Sequence, residues 1–170
     1  MLRTLLRVPL VYPLAALVFA RRVVVVGWSM YPTLVPGERV LFDTLAYRLQ
    51  RPQRGDVVLA RHPAPPPAKL VKRVAAVPGD RVTLSDGGWR VEEASRRHAR
   101  PLGAGAAPAQ ARTLGEDDYF LIGDAPDLST DARHFGPTPR RDILARAWMV
   151  YWPPHAMRRV GPSGPQEIAG

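Results

Sequence analysis

Gly27-Trp28-Ser29-Met30-Tyr31-Pro32-Thr33-Leu34 follows four consecutive valines, residues 23–26. Four valines predict a short buried strand. Gly27 then permits a turn, or a close backbone approach, that a Cβ would obstruct. Pro32 prevents a helix from starting at once and biases Tyr31 toward extended backbone. The stretch places Ser29 just past a strand end, where a nucleophile has to be held rigidly. It equally fits an ordinary serine that caps a turn.

The basic residues sharpen the choice. Of 24 Lys and Arg, 22 are arginine and only Lys69 and Lys72 are lysine. Arginine stays protonated at any accessible pH, whereas a desolvated lysine can lose its proton and act as a base. Lys72 lies in Lys69-Leu70-Val71-Lys72-Arg73-Val74, which predicts a strand. Alternation puts Leu70, Lys72 and Val74 on one face, toward the core, and Val71 and Arg73 on the other. Burial would depress the Lys72 pKa and ready it to take a hydroxyl proton. The competing reading is a lysine that snorkels from an apolar face to water. Lys69 falls on the opposite face and is expected to be solvated.

A third stretch runs from Gly123 and Asp124 through Ser129, Asp131, Arg133 and His134 to Gly136, and is rich in turn residues. It follows a strand predicted at 119–122. Ser29-Met30 with Pro32-Thr33-Leu34, then Lys72-Arg73-Val74 leading into Pro78-Gly79-Asp80, then Gly123-Asp124 with Ser129, Asp131, Arg133 and Gly136, together resemble the type I signal peptidases. These are membrane-bound serine proteases with a Ser/Lys dyad. The resemblance covers residues 23–153, with three motifs in the family's order.

The resemblance implies roles. Ser29 is the expected nucleophile and Lys72 the general base for acylation and then deacylation. The Ser29 backbone N–H is the natural first oxyanion donor. Some family members carry a serine two residues earlier as a second donor; here that position is Gly27. Ser129 matches the hydroxyl that orients the lysine. Asp131 and Arg133 match an ion pair that holds the loop. The chain departs from the common pattern at Ala125, where asparagine is frequent, and at Ala132, where serine is frequent. A Ser29-His134-Asp131 triad is the competing constellation. His62 and His98 sit in Pro- and Arg-rich loops and His155 near the end of the chain. No pair has zinc-protease spacing, no cysteine is present and no Gly-rich phosphate loop occurs, so no cofactor or metal is expected.

Composition bounds the rest. At 170 residues, with 46% hydrophobic content, one domain with short appendages is expected. The formal charge of +9 is spread along the chain without aromatic interleaving, which argues against nucleic acid and fits an anionic membrane surface or general arginine enrichment. Residues 8–20 form an uncharged apolar run between Arg3, Arg7 and Arg21, Arg22. As a helix this run spans about 20 Å, short of the roughly 30 Å hydrocarbon core. Extended to residues 4–20 with Arg7 snorkelling, it becomes marginally long enough. A cleavable signal peptide ending at Val18-Phe19-Ala20 and a buried helix are the alternatives. The resemblance favours a single-pass anchor, with residues 1–22 in the cell membrane and the peptidase domain, 23–155, on the extracytoplasmic side.

Turn and strand signals predict strands at 39–42, 57–60, 70–77, 119–122 and 143–152, and a hairpin of 81–84 with 89–92. Residues 43–49 predict a short helix or loop. Residues 94–112 lack periodicity and predict a flexible excursion, and 156–170 a loose tail. The fold class is mostly β, and the resemblance specifies a coiled antiparallel sheet. It also implies that precursor proteins with N-terminal signal peptides are the substrates, with small residues one and three positions before the cut, docking as an added strand. A maturation peptidase dedicated to one precursor, as for nickel superoxide dismutase, and an inactive peptide-binding module are the alternatives. Self-cleaving Ser/Lys repressors are disfavoured, because the residues before Ser29 are too few and too apolar for a helix-turn-helix.

Overall fold

The computed structural model describes residues 18–66, 68–85, 88–94 and 110–162. The expected anchor over 4–20 lies almost wholly outside them, as do most of the excursion and His98. Among the described residues no helix is long and apolar enough to cross a membrane.

Among the described residues eleven strands and two one-turn α-helices follow in order: β1 (Arg21–Val24), β2 (Arg39–Asp43), α1 (Ala46–Leu49), β3 (Val57–Arg61), β4 (Lys69–Ala76), β5 (Arg81–Ser85), β6 (Gly88–Glu92), β7 (Gln110–Thr113), β8 (Asp118–Ile122), α2 (Ala132–Phe135), β9 (Thr138–Pro139), β10 (Ile143–Trp152) and β11 (Arg158–Arg159). The large sheet runs β1-β2-β10-β3-β4-β8-β9, with β11 added on β10; a smaller sheet runs β6-β5-β7. Every pairing is antiparallel. The mostly-β antiparallel expectation is therefore met.

Both faces of the large sheet are covered, so its central strands read as continuous apolar runs. In β3, Val57 and Leu59 enter a core with Met30, Leu34, Val40, Phe42 and Val150. Val58 and Ala60 enter another with Tyr47, Val74, Tyr119 and Leu121. A third core, with Val82, Leu114, Phe120, Ile122 and Ala132, joins β8 and α2 to the small sheet. Register shifts in β10 at Ile143/Ala145, Ala147/Met149 and Val150/Trp152 let this ten-residue strand bend between two neighbours.

Three expectations are corrected. The valine strand is β1, two residues earlier than expected, at the sheet edge. Val24 is 55% and Val26 88% exposed, and only Val25 is buried. An edge strand has one covered face, so four valines cannot all be buried there. The predicted excursion ends early, because Gln110–Thr113 pairs with β5 and Leu114 fills the third core. The chain past residue 156 is not loose up to 160. Arg158 and Arg159 pair with Val150 and Met149, and Val160 packs against the first core.

Candidate active site

The Ser29 loop is built from its apolar residues. Met30 and Leu34 are 2% and 0% exposed and plug the first core, and the Leu34 N–H donates to the Met30 carbonyl at 2.8 Å. Trp28, ahead of these anchors, and Tyr31, between them, are half exposed. Gly27 has φ +80° with nothing within 4 Å of a built Cβ. Of the two reasons for a glycine there, the left-handed turn is the operative one. At the base of the loop, Val25 and Glu38 exchange with the chain opposite: Val25 N–H donates to Glu38 O at 2.9 Å and Gly37 N–H to Val25 O at 3.0 Å.

Lys72 lies in β4 opposite Val58 and is 3% exposed. Its ammonium nitrogen donates to Ser129 Oγ at 2.9 Å. Ser129 Oγ in turn donates to Asp131 Oδ2 at 2.6 Å. A serine hydroxyl has one proton, so with that proton on Asp131, Ser129 can only accept from Lys72. One Lys72 N–H is thereby fixed. Burial pushes the Lys72 pKa below the ordinary lysine value; Asp131 pulls it upward, Arg133 pushes it down and Asp124 pulls it upward. The net direction is toward a neutral amine.

Asp131 is fully buried and receives the Gly123 N–H at 2.9 Å, Ser129 Oγ, and Arg133 Nε at 2.9 Å on Oδ1. Burial alone would raise its pKa, but the hydrogen bonds from Arg133, Gly123 and Ser129 outweigh it and hold the carboxyl below the usual range. Arg133 also donates to the carbonyls of Pro126 at 2.7 Å and Ser129 at 3.3 Å. Asp131 and Arg133 thus pair with each other, and Arg133 ties that pair to the carbonyls of the loop around Ser129.

Ser29 and Lys72 line one groove of about 300 Å³, with Val23–Val26, Leu59, Leu70 and Val71 as its apolar walls. Lys69 is exposed at the same groove. The structure therefore brings together Ser29, Lys72, Ser129, Asp131 and Arg133. It does not assemble the histidine triad. His134 is exposed and lines a separate pocket with Val82, Leu114 and Phe120. Its Nδ1 meets the Asp131 backbone N–H at 3.5 Å, not the carboxylate. His62 is turned toward Phe135, at 5.3 Å between ring centroids, and His155 is exposed. Among the described residues no three His, Asp or Glu side chains converge as a metal site.

Three residues that the sequence names without assigning a role hold the site together. Arg73 is 2% exposed and grips Asp124 with both ends of its fork, Nε to Oδ1 at 2.7 Å and Nη2 to Oδ2 at 2.6 Å. It also donates to Gly55 O at 2.7 Å and Thr33 Oγ1 at 3.0 Å, tying β4 to the serine loop. Gly123 has no room for a side chain: a Cβ would overlap Ser129 Oγ and the Ser29 carbonyl. Ala125 acts through its backbone, donating to the Ser29 carbonyl at 3.1 Å. The adjacency of Arg73 to Lys72 and of Gly123 to Asp124 was visible in the sequence; their convergence on Ser29 was not.

A family model described as signal peptidase, peptidase S26, matches residues 1–152. The chain is 31% identical over 141 residues to a probable signal peptidase I-2 of Synechocystis, covering 78% of this chain and 62% of that protein. It is 36% identical over 129 residues to a mitochondrial ATP-independent inner membrane protease subunit 1a of Arabidopsis thaliana, covering 75% and 68%. It is 30% identical over 132 residues to signal peptidase I V of Bacillus subtilis, covering 69% and 77%. The chain belongs to the S26 family of signal peptidases, which are serine endopeptidases.

Proposed function

We propose that this chain cleaves N-terminal targeting peptides from precursor proteins, with Ser29 as nucleophile and Lys72 as general base. The observation that carries the reading is Lys72 itself: a lysine buried to 3%, hydrogen-bonded to a serine, on the groove that holds another serine. A lysine in ordinary structural use reaches solvent. In the proposed acylation step, neutral Lys72 takes the Ser29 Oγ proton as Oγ attacks the scissile carbonyl. The resulting ammonium gives that proton to the departing amine. A water then attacks the acyl-enzyme as Lys72 accepts its proton, the ester bond breaks, and the ammonium passes that proton to the departing Ser29 Oγ, restoring the serine hydroxyl and the free amine.

The Ser29 N–H makes no hydrogen bond among the described residues and is the first oxyanion donor. Gly27 supplies no side-chain donor, so a backbone group or water takes the second place. The apolar groove suits small uncharged side chains beside the cut. The membrane-facing part of the proposal rests on the apolar run over 8–20, flanked by arginines, and on the relatives, one of which is named as an inner membrane protease subunit. In this reading the anchor spans once and the catalytic domain lies outside the cytoplasm.

The test is cleavage of a fluorogenic Ala-x-Ala peptide and of a panel of precursors by the purified chain and by Ser29→Ala. Loss of all but trace cleavage in a folded Ser29→Ala protein is the expected result, and retained cleavage would overturn the assignment. Activity on one precursor alone would identify a dedicated maturation peptidase, and activity on none a binding module.

A further inference from the structure

The family match ends at residue 152, yet the chain beyond it returns to the sheet as β11 and lays Arg158 across the base of the Ser29 loop. Arg158 Nη1 donates to Glu38 Oε1 at 2.7 Å and to Ala156 O at 2.9 Å. Nη2 donates to Glu38 Oε2 at 2.9 Å and to Thr33 O at 2.7 Å. Glu38 is buried and its Oε2 also accepts the Val35 N–H at 3.0 Å. The polar groups of Thr33 are thus divided between two arginines. Its hydroxyl goes to Arg73, the neighbour of Lys72 in β4, and its carbonyl goes to Arg158. The loop that carries Ser29 hangs between these two attachments.

We propose that Arg158 is a positioning residue for Ser29. By joining Glu38 to the Thr33 carbonyl it fixes the span of the loop, and so sets where Ser29 stands relative to Lys72. The proposal rests on the Ser29/Lys72 reading above. Only arginine can do this: its planar fork matches the carboxylate with two N–H groups while others reach the carbonyls. Lysine offers a point charge without that geometry. The Arg158 side chain is 38% exposed but that of Glu38 only 7%, so removing Arg158 alone also costs stability by leaving a buried charge, and rate and melting temperature are read together. A positioning role is expected to show as a loss of rate beyond what the fall in melting temperature accounts for.

The experiment uses the full chain and one Ala-x-Ala peptide, with kcat and KM measured for Arg158→Ala, Arg158→Lys and Arg159→Ala. Arg158→Ala should lower kcat on the order of tenfold, within the hundredfold that a 1 Å displacement costs, and leave KM near the parent value. Arg158→Lys should recover only part of the loss. Methylguanidinium added to Arg158→Ala should restore kcat in a saturable way. Arg159→Ala keeps the β11 backbone pairing and should behave as the parent. If Arg158→Ala fails to fold because Glu38 is left buried and charged, the pair Glu38→Gln with Arg158→Gln removes both charges, and it should show the same loss of kcat. An unchanged kcat in a folded variant, or a loss that follows melting temperature alone without methylguanidinium rescue, overturns the proposal. A cleaving Ser29→Ala protein would instead overturn the reading beneath it.

Discussion

At Lys72 the hydrogen-bonded run Asp131–Ser129–Lys72 orients the proposed base. Asp131 holds the Ser129 proton, so Ser129 fixes a Lys72 N–H and leaves the amine lone pair to be aimed elsewhere. Ser129→Ala removes that fixed point without touching either proposed dyad member. It should lower kcat on the order of a hundredfold with little change in KM, read from steady-state cleavage of one peptide. Stability carries a second signature. The folded Lys72 has a depressed pKa, so between that value and the ordinary one the unfolded chain binds the extra proton. Stability should rise with pH through that window and should lack the rise below it, where both states are protonated. Lys72→Met should lose that slope, measurable as the difference between the two proteins in urea midpoint across pH.

At the scale of elements, the site is a junction of three segments: the loop after β1, the strand β4 and the turn after β8. Gly123 sits where they touch. Gly123→Ala would push a methyl group into Ser129 Oγ and the Ser29 carbonyl. It should cost about 1–3 kcal/mol, the usual range for overpacking, and abolish most turnover; chemical denaturation and peptide cleavage check the two halves. The strands were legible because their signals are local. Short apolar runs bounded by Gly-Asp, Pro-Gly or Pro-Pro turns located β3, β4, β8 and β10 within a residue or so. The burial of Lys72 was legible from Leu70 and Val74 beside it. What was not legible depends on contacts across the chain. Four valines give no sign that β1 is an edge strand. The run ending at Arg112 gives no sign that Gln110–Thr113 will pair with β5. Arg158 looked like tail because its partners, Glu38 and Thr33, lie 120 and 125 residues away.

For the whole molecule, the domain presents an apolar rim at the groove, with Val24, Val26 and Trp28 about half exposed or more, and Phe19 is exposed ahead of β1. The apolar run over 8–20 leads directly into it along the chain. In the proposed arrangement residues 4–20 keep the protein in the bilayer, so the full chain should stay with the membrane pellet after alkaline carbonate extraction. Recovery in the soluble fraction would argue against the anchor, and recovery of a chain beginning at Arg21 would point to a cleaved signal peptide. The charge of +9, with 22 arginines, would add attraction to anionic headgroups, which salt should weaken.

The central claim is that Lys72 works as a neutral base on Ser29, and the pH dependence of kcat/KM for parent and Lys72→Arg tests it most directly. Arginine keeps the charge and most of the bulk but cannot deprotonate. The account predicts that the parent rate rises with pH along a limb set below the ordinary lysine range, because only the free amine accepts the serine proton. It predicts no turnover by Lys72→Arg at any pH, full turnover by Lys69→Arg and largely intact turnover by His134→Ala. An active Lys72→Arg protein beside an inactive, folded His134→Ala protein would contradict it.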